Sequence, residues 1–251
     1  MTTPMPMPRE GLLLSLANPR PPINISIIIP MLNEAAGIQA SLAPLQPLRA
    51  HGGDGRVEVI VVDGGSVDQS VALATPLVDA VIISQPGRAR QLNLGVQHAC
   101  GAVLLFLHAD TRLPKFALEA INQALDTHVW GRFDIQLAGR SRWLPIVSMM
   151  MNVRSRLTGL ATGDQAIFVR TATFQQAGGF PDQPLMEDIE LCKRLKKQAP
   201  PACLDAKVVS SGRRWDQHGA WTTIRLMWRL RYRYWRGVSA TQLAKEYRDA
   251  R

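Results

Sequence analysis

At 251 residues and 46% apolar content, the chain is long enough to bury one sizeable core and is composed like an ordinary globular protein. Its three cysteines, Cys100, Cys192 and Cys203, show neither CxxC spacing nor a disulfide framework, which excludes a disulfide-stapled scaffold and points to a reducing compartment. The formal net charge is +9, and Lys207 to the C-terminus carries eleven basic against three acidic residues, so the rest is close to neutral.

Residues 1–22, rich in Pro and Met, read as a loose tail. Within it, Leu12-Leu13-Leu14-Ser15-Leu16-Ala17 is too short for a signal-peptide core. No apolar run approaches the roughly 20 residues that span a bilayer, and the expected location is the cytoplasm. Ile25-Ser26-Ile27-Ile28-Ile29-Pro30 is a β-branched run closed by proline and predicts a buried strand. A helix is expected over Glu34 to Leu48, interrupted late by Pro44 and Pro47, with a turn at Gly52-Gly53-Asp54-Gly55. Val57 to Val62 is a second strand, ending at Asp63-Gly64-Gly65-Ser66. A helix over Val67 to Thr75, a strand over Ala80 to Ser84, a helix over Gly87 to Ala99 and a strand over Ala102 to Leu107 follow. The second half is less regular, with a strand at Trp130 to Leu137, a helix over Pro145 to Leu157 and a strand at Ala166 to Val169.

Strands alternating with helices at these spacings predict an α/β fold with a mostly parallel central sheet and helices on both faces. The strands are continuous apolar runs, as strands covered on both sides should be. Ligands in such sheets bind beyond the carboxyl ends of the strands. Asn33, Asp63 and the His108-Ala109-Asp110 cluster all fall there.

Several of these segments resemble the family-two glycosyltransferases of the GT-A fold. Ser26-Ile27-Ile28-Ile29-Pro30-Met31-Leu32-Asn33-Glu34 is similar to that family's first strand and turn. Val61-Val62-Asp63-Gly64-Gly65-Ser66-Val67-Asp68 resembles its VDDGSxD segment, with Gly64 in place of the second Asp. Gly87 to Gly95 is similar to GxxxARNxG. Leu107-His108-Ala109-Asp110-Thr111 stands where the family places its D-x-D, with His108 in the first position. Gly178-Gly179-Phe180 and Met186-Glu187-Asp188-Ile189-Glu190-Leu191 look like the GGFxE and EDxxL block. The set is most similar to a bacterial subgroup found beside radical-SAM and selenoprotein-type genes. Five motifs in the right order are more specific than any one of them.

The resemblance implies a Rossmann-like nucleotide-binding domain over 23–251. It divides into a nucleotide-sugar-binding half at 23–125, an acceptor-side half at 126–205 and a basic amphipathic segment at 206–251. It implies an inverting, metal-dependent transfer of a sugar from a nucleoside-diphosphate donor, UDP before GDP, to a small-molecule or lipid-linked acceptor. Pro30, Leu32 and Glu34 would line the nucleoside pocket, and Asp63 would accept a hydrogen bond from the pyrimidine ring. The other reading of Asp63 is a turn residue capping the next helix, a part that Asp68 fills as well. Asp110 would ligate Mn²⁺ or Mg²⁺, since such ions take one or two carboxylates beside phosphate oxygens. His108 is either a second ligand or sugar-pocket residue, or a satisfied histidine at a strand end.

Arg88 and Arg90 open a helix, where cations oppose the dipole unless an anion is bound, so they are either diphosphate contacts, with Arg90 at the family's Arg position leading, or a pair of solvated surface arginines. Asp188 would be the general base that deprotonates the acceptor. With Glu187 it could equally be an acidic first turn. Asp164 and Gln165 belong to an acceptor- or sugar-facing loop, or to an ordinary turn. Arg214 and Trp215 are similar to the family's QxxRW element, although Ser211 stands where its polar anchor would be.

From Trp221 to Gly237, Arg225, Arg229, Arg233 and Arg236 form one helical stripe. Trp221, Ile224, Trp228, Tyr232 and Trp235 share a neighbouring face. This suits an anionic membrane surface at the inner face of the cell membrane, or a helix docked on the core with a solvated basic side. A nucleotidyltransferase is the enzymatic alternative, but Pro30-Met31-Leu32-Asn33-Glu34 lacks the glycine-rich basic loop it needs. A non-catalytic relative binding nucleic acid or membrane is the other. No nucleic-acid partner is expected, since the charge is confined to one terminal segment and strand-end carboxylates repel phosphate. The sequence carries no signal for oligomeric state.

Overall fold

A computed structural model describes residues 25–49 and 57–249. The tail over 1–22, its leucine run and the turn at Gly52-Gly53-Asp54-Gly55 lie outside the described residues. The strands are β1 (Ile25–Met31), β2 (Val57–Asp63), β3 (Ala80–Ile83), β4 (Val103–Phe106), β5 (Thr111–Arg112), β6 (Trp130–Ala138), β7 (Phe168–Arg170) and β8 (Ala202–Ser211). The helices are α1 (Ile38–Leu42), α2 (Ser70–Ala74), α3 (Arg88–His98), α4 (Ala117–Leu125), α5 (Leu144–Thr158), α6 (Thr171–Gln176), α7 (Glu187–Lys196), α8 (Arg213–His218), α9 (Ala220–Trp235) and α10 (Ala240–Asp249).

The strands form one sheet in the order β3-β2-β1-β4-β7-β6-β8-β5. The first four run parallel, with Ile25 opposite both Val57 and Val103, so their carboxyl ends line up on one edge. β7 then reverses the direction, β6 lies antiparallel to it, and β8 runs parallel to β6. Period-two alternation splits the β-branched strands between two cores. Ile25, Ile27 and Ile29 face Ile38 and Leu42 of α1 and Ile121 of α4. Ile28, Ile60 and Leu104 face Leu92 of α3 and Leu191 and Leu195 of α7. The sheet is thus covered on both faces, as its apolar runs require.

Four local expectations change. The helix over 34–48 is only α1 followed by a 3-10 turn at Ala43–Leu48, because Pro44 and Pro47 cannot continue an α-helical ladder. The helix over 67–75 begins at Ser70, whose amide donates to Asp68 Oδ1 at 3.0 Å, and it passes into a 3-10 turn at Thr75–Leu77. The strand expected from Ala166 begins at Phe168, since Ala166 takes a left-handed φ of +47°. Finally, β8 has no counterpart in the sequence reading and crosses the 205/206 boundary. Its half-exposed alternation and its Asp205 and Lys207 give no apolar run, and the β6–β8 register slips between Phe133 and Asp134. Among the described residues, no helix is long and apolar enough to cross a membrane.

Candidate active site at the strand ends

The turns after β1 and β2 are stitched to each other. The Asn33 amide donates to Ser66 Oγ at 2.8 Å, the Val67 amide to Asn33 Oδ1 at 2.9 Å and the Glu34 amide to Ser70 Oγ at 2.7 Å. Asp63 is only 1% exposed. Its Oδ2 accepts from the amides of Gly65 and Ser66 at 2.9 and 2.8 Å, so its carboxylate holds its own turn. The turn-capping reading of Asp63 therefore describes its contacts here, while Asp68 starts the following helix. Leu32 is 45% exposed at the mouth of this region.

Gly64 stands where the family pattern carries a second Asp, and the structure gives a steric reason. A Cβ at Gly64 would lie 3.0 Å from Gln91 Nε2. That amide group is itself fixed, donating to the carbonyls of Met31 and Val62 at 2.9 and 2.8 Å. The space an aspartate would need is filled by Gln91.

A narrow cleft of about 10 Å³ opens beside the carboxyl ends of β1 and β4, lined by Pro30, Arg88, His108, Gly163, Glu187 and Asp188 among others. It has room for about one water. Arg88 reaches it from the first turn of α3 and sits 3.6 Å from Glu187 Oε1. Arg90, expected to lead, instead pairs with Asp182 at 2.9 Å on the exposed rim and is not among the lining residues. One helical turn of 100° per residue cannot aim both side chains inward, and the inward position is Arg88.

Glu187 and Asp188 open α7, as the acidic first turn required. Glu187 is 4% exposed. Burial pushes its carboxyl up, the charge of Asp188 adds to this, and Arg88 opposes it. Asp188 Oδ2 accepts from the Gly163 amide at 2.8 Å, which ties the start of α7 to the Gly163–Gln165 loop. In that loop Asp164 Oδ1 is buried without a partner, and burial pushes the Asp164 carboxyl up. Gln165 turns the other way. It is fully buried, accepts from the Thr162 amide at 3.1 Å and approaches Asn152 of α5, so it builds the loop rather than facing the cleft.

His108 packs over Gly163, where a Cβ would come within 2.5 Å of Nε2. That nitrogen is buried and unpartnered, and burial together with Arg88 holds the ring well below the usual histidine range. It is therefore a neutral ring, able to accept from or donate to a hydroxyl. Arg154 of α5, which lies outside every motif of the sequence, has its Nε and Nη2 buried without partners and feels the charges of Asp164 and Asp188. Nothing in a single-sequence pattern distinguishes this arginine from the surface ones around it.

Asp110 lies two residues beyond His108. Arg213 Nη2 donates to Glu34 Oε2 at 2.9 Å and lies 3.6 Å from Asp110 Oδ2, joining the turn after β1 to the segment after β4. The QxxRW comparison pointed instead to Arg214 and Trp215. Arg214 stacks over the Tyr247 ring at 4.1 Å and bonds its hydroxyl, while Trp215 is partly buried against the core. Arg213 is the residue of α8 that meets the strand-end carboxylates.

Two hard oxygen donors around one positive charge suit a divalent cation shared with phosphate oxygens. Among the described residues no group of three or more His, Cys, Asp and Glu could hold a metal alone, so Asp110 and Glu34 would need such sharing.

The sequence profile of glycosyl transferase family 2 matches residues 26–174. An uncharacterised glycosyltransferase of Mycobacterium tuberculosis is 33% identical over 129 residues, which is 47% of this chain and 48% of that protein. A PGL/p-HBAD biosynthesis glycosyltransferase of Mycobacterium bovis is 39% identical over 95 residues, 35% of this chain and 36% of its own. The chain thus spans half the length or less of these curated relatives. Among solved structures, mannosyltransferase PcManGT of Pyrobaculum calidifontis, bound to GDP-Man and Mn²⁺, superposes with a TM-score of 0.58 at 20% identity, over 91% of this chain and 68% of that one. TarS of S. aureus with UDP-GlcNAc gives 0.58 at 20% identity, over 75% and 58%. These likenesses identify the fold as GT-A, with the strand-end cleft on the edge where the parallel block ends. With the family profile covering more than half of the sequence, the chain belongs to glycosyl transferase family 2.

Proposed function

We propose that the protein moves a sugar from a nucleoside-diphosphate donor, UDP-linked before GDP-linked, to an acceptor hydroxyl with inversion. The observation that carries this reading is the convergence of Arg88, His108, Glu187 and Asp188 on one strand-end cleft, with Glu34 and Asp110 meeting on Arg213 next to it. Pro30 and Leu32 line the nucleoside side, and Asp63 shapes the turn against which the base lies. Arg88 meets the diphosphate, with Arg90 at the rim. Asp110 and Glu34 would hold Mn²⁺ or Mg²⁺, which would neutralise charge on the departing diphosphate.

Asp188 is the general base. Its Oδ2 is oriented by the Gly163 amide and keeps a lone pair for the acceptor proton. Attack assisted by a single carboxylate, without a covalent intermediate, inverts the anomeric carbon. Glu187 and Asp164 stand beside the acceptor, with Arg214 and Trp215 supporting that side through α8. The acceptor is lipid-linked, and residues 221–237 meet an anionic membrane surface at which the protein is peripheral. That part of the reading is supported by Trp221, Trp228, Tyr232 and Trp235, each at least 60% exposed on α9.

The test is a thermal-shift screen of UDP and GDP with and without Mn²⁺. Wild type should be stabilised by one nucleotide more strongly with metal, Asp110→Ala should lose the metal-dependent part, and Asp188→Asn should keep it. Asp188→Asn should then lose about 10²–10⁴-fold in transfer rate. A wild-type melting curve indifferent to every nucleotide defeats the reading.

A further inference from the structure

The two helices that flank the acceptor side leave apolar stripes facing each other. On α5 these are Ile146, Val147 and Met150, and on α9 they are Trp221, Ile224 and Trp228, each set at helical spacing. Between them lies a groove of about 280 Å³, closed at one end by the edge-to-face pair Trp143 and Trp221, whose rings are 5.5 Å apart. It is nearly twice the ~150 Å³ of an engineered apolar cavity that stays dry and takes up benzene. Its lining carries a single charged side chain, Arg225, which is exposed.

The apolar surface continues past the groove through Met149, Val153 and Leu157 of α5, and through Tyr232 and Trp235 of α9, all at least half exposed. Soluble proteins seldom leave such a surface in water without a use for it.

The other faces of both helices touch the region of the candidate site. On α9, Leu230, two residues past Trp228, is fully buried against Met186 and Ile189, which flank Glu187 and Asp188. On α5, Arg154, one turn past Met150, lies in the charge field of Asp164 and Asp188. The two helices that wall the groove are therefore also packed beside the segments that carry Glu187, Asp188 and Asp164.

We infer that this groove binds the hydrocarbon chain of an anionic lipid acceptor, with Arg225 at its mouth meeting the phosphate. The inference rests on the lipid-linked acceptor proposed above and assigns that acceptor a seat. An apolar lining with one exposed guanidinium fits a phosphorylated single-chain amphiphile, since the chain gains by leaving water and the phosphate keeps a charge-assisted partner.

The test uses the full chain and its own tryptophans, three of which line the groove. Fluorescence titrations compare inorganic phosphate with butyl, octyl and dodecyl phosphate, below the concentrations at which they form micelles. Affinity should rise about fourfold per methylene until the groove is filled. Met150→Glu and Trp228→Ala, both at exposed positions, should each weaken dodecyl phosphate binding by about tenfold or more. Arg225→Ala should weaken all the alkyl phosphates alike and keep the chain-length trend. Affinity independent of chain length overturns the inference. So does undiminished binding by both groove variants, or a dimer in solution that Met150→Glu dissociates. The nucleotide thermal shift, run on the same samples, judges the donor reading separately. If it is present while chain-length dependence is absent, the groove alone is refuted.

Discussion

Arg213 and Glu34 stand 179 residues apart in the chain, yet the guanidinium donates to the carboxylate at 2.9 Å while lying 3.6 Å from Asp110. The hydrogen bond to Glu34 raises the arginine's already high pKa, so its charge is fixed at every working pH. Arg213 thus supplies between two carboxylates the positive charge that a divalent cation would supply. The pair is half-exposed and the interaction modest, worth ~0.2–1 kcal/mol, or a factor of up to about five. Arg213→Ala should accordingly tighten Mn²⁺ binding by about two- to fivefold in calorimetric titration without nucleotide. Weaker Mn²⁺ binding in the variant would mean that the arginine organises the carboxylates rather than competing for them.

Gly163 and His108 form a contact with no slack. A methyl group at 163 would meet the imidazole at 2.5 Å, and Gly163's own amide is the one that holds Asp188. Gly163→Ala should cost ~1–3 kcal/mol in urea unfolding, the usual range for an overpacked site, and should slow transfer. Adding His108→Ala removes the obstructing ring, so the double variant should recover most of the lost stability. Additive losses would show that position 163 matters for a reason other than the ring above it.

Asp164 gives a pH-dependent signature. Burial raises its folded-state pKa above 3.8, a hydrogen bond from Thr162 opposes this, Asp188 adds to it, and Arg154 and Arg88 oppose it. The folded protein therefore holds this proton more tightly than the unfolded chain. That contribution is complete below the unfolded pKa and is lost as pH rises through the folded value. Asp164→Asn has no such titration. Its stability relative to wild type should be higher at about pH 8 than in acid near the ordinary carboxylate pKa. Equal differences at both pH values, measured by urea unfolding, would place the Asp164 charge in contact with solvent.

The parallel block could be read from the sequence because β1, β2 and β4 are mainly apolar, β-branched-rich runs closed by Pro30, Asp63 and His108, broken only by Ser26 and Glu58, which are buried and bond each other. Asp110, His108, Glu187 and Asp188 could be read because they sit in ordered motifs at element ends. Arg154 and Arg213 could not. Each meets its charged neighbours through tertiary packing between segments that are not adjacent in the chain, and neither lies in a repeating local pattern. The exchange of Arg88 for Arg90 turned on helix phase, which shifts with a one-residue change in where α3 begins. Likewise β8, half-exposed and carrying charge, has the local look of a loop and becomes a strand only because β6 lies beside it. On α9 the arginine stripe is partly spent on α10, whose Glu246 takes Arg229 and Arg233, a partner that a helical wheel drawn for one segment cannot contain.

A Cβ at Gly64 would press on the Gln91 amide group at 3.0–3.1 Å. With the glutamine anchored to two strand carbonyls, the missing acid has been traded for a cross-strand clamp. The two positions therefore constrain each other sterically. A carboxylate at 64 needs the Gln91 amide to give way by a few tenths of an ångström, which strains its two bonds, and shortening 91 leaves the carbonyls of Met31 and Val62 in need of another donor.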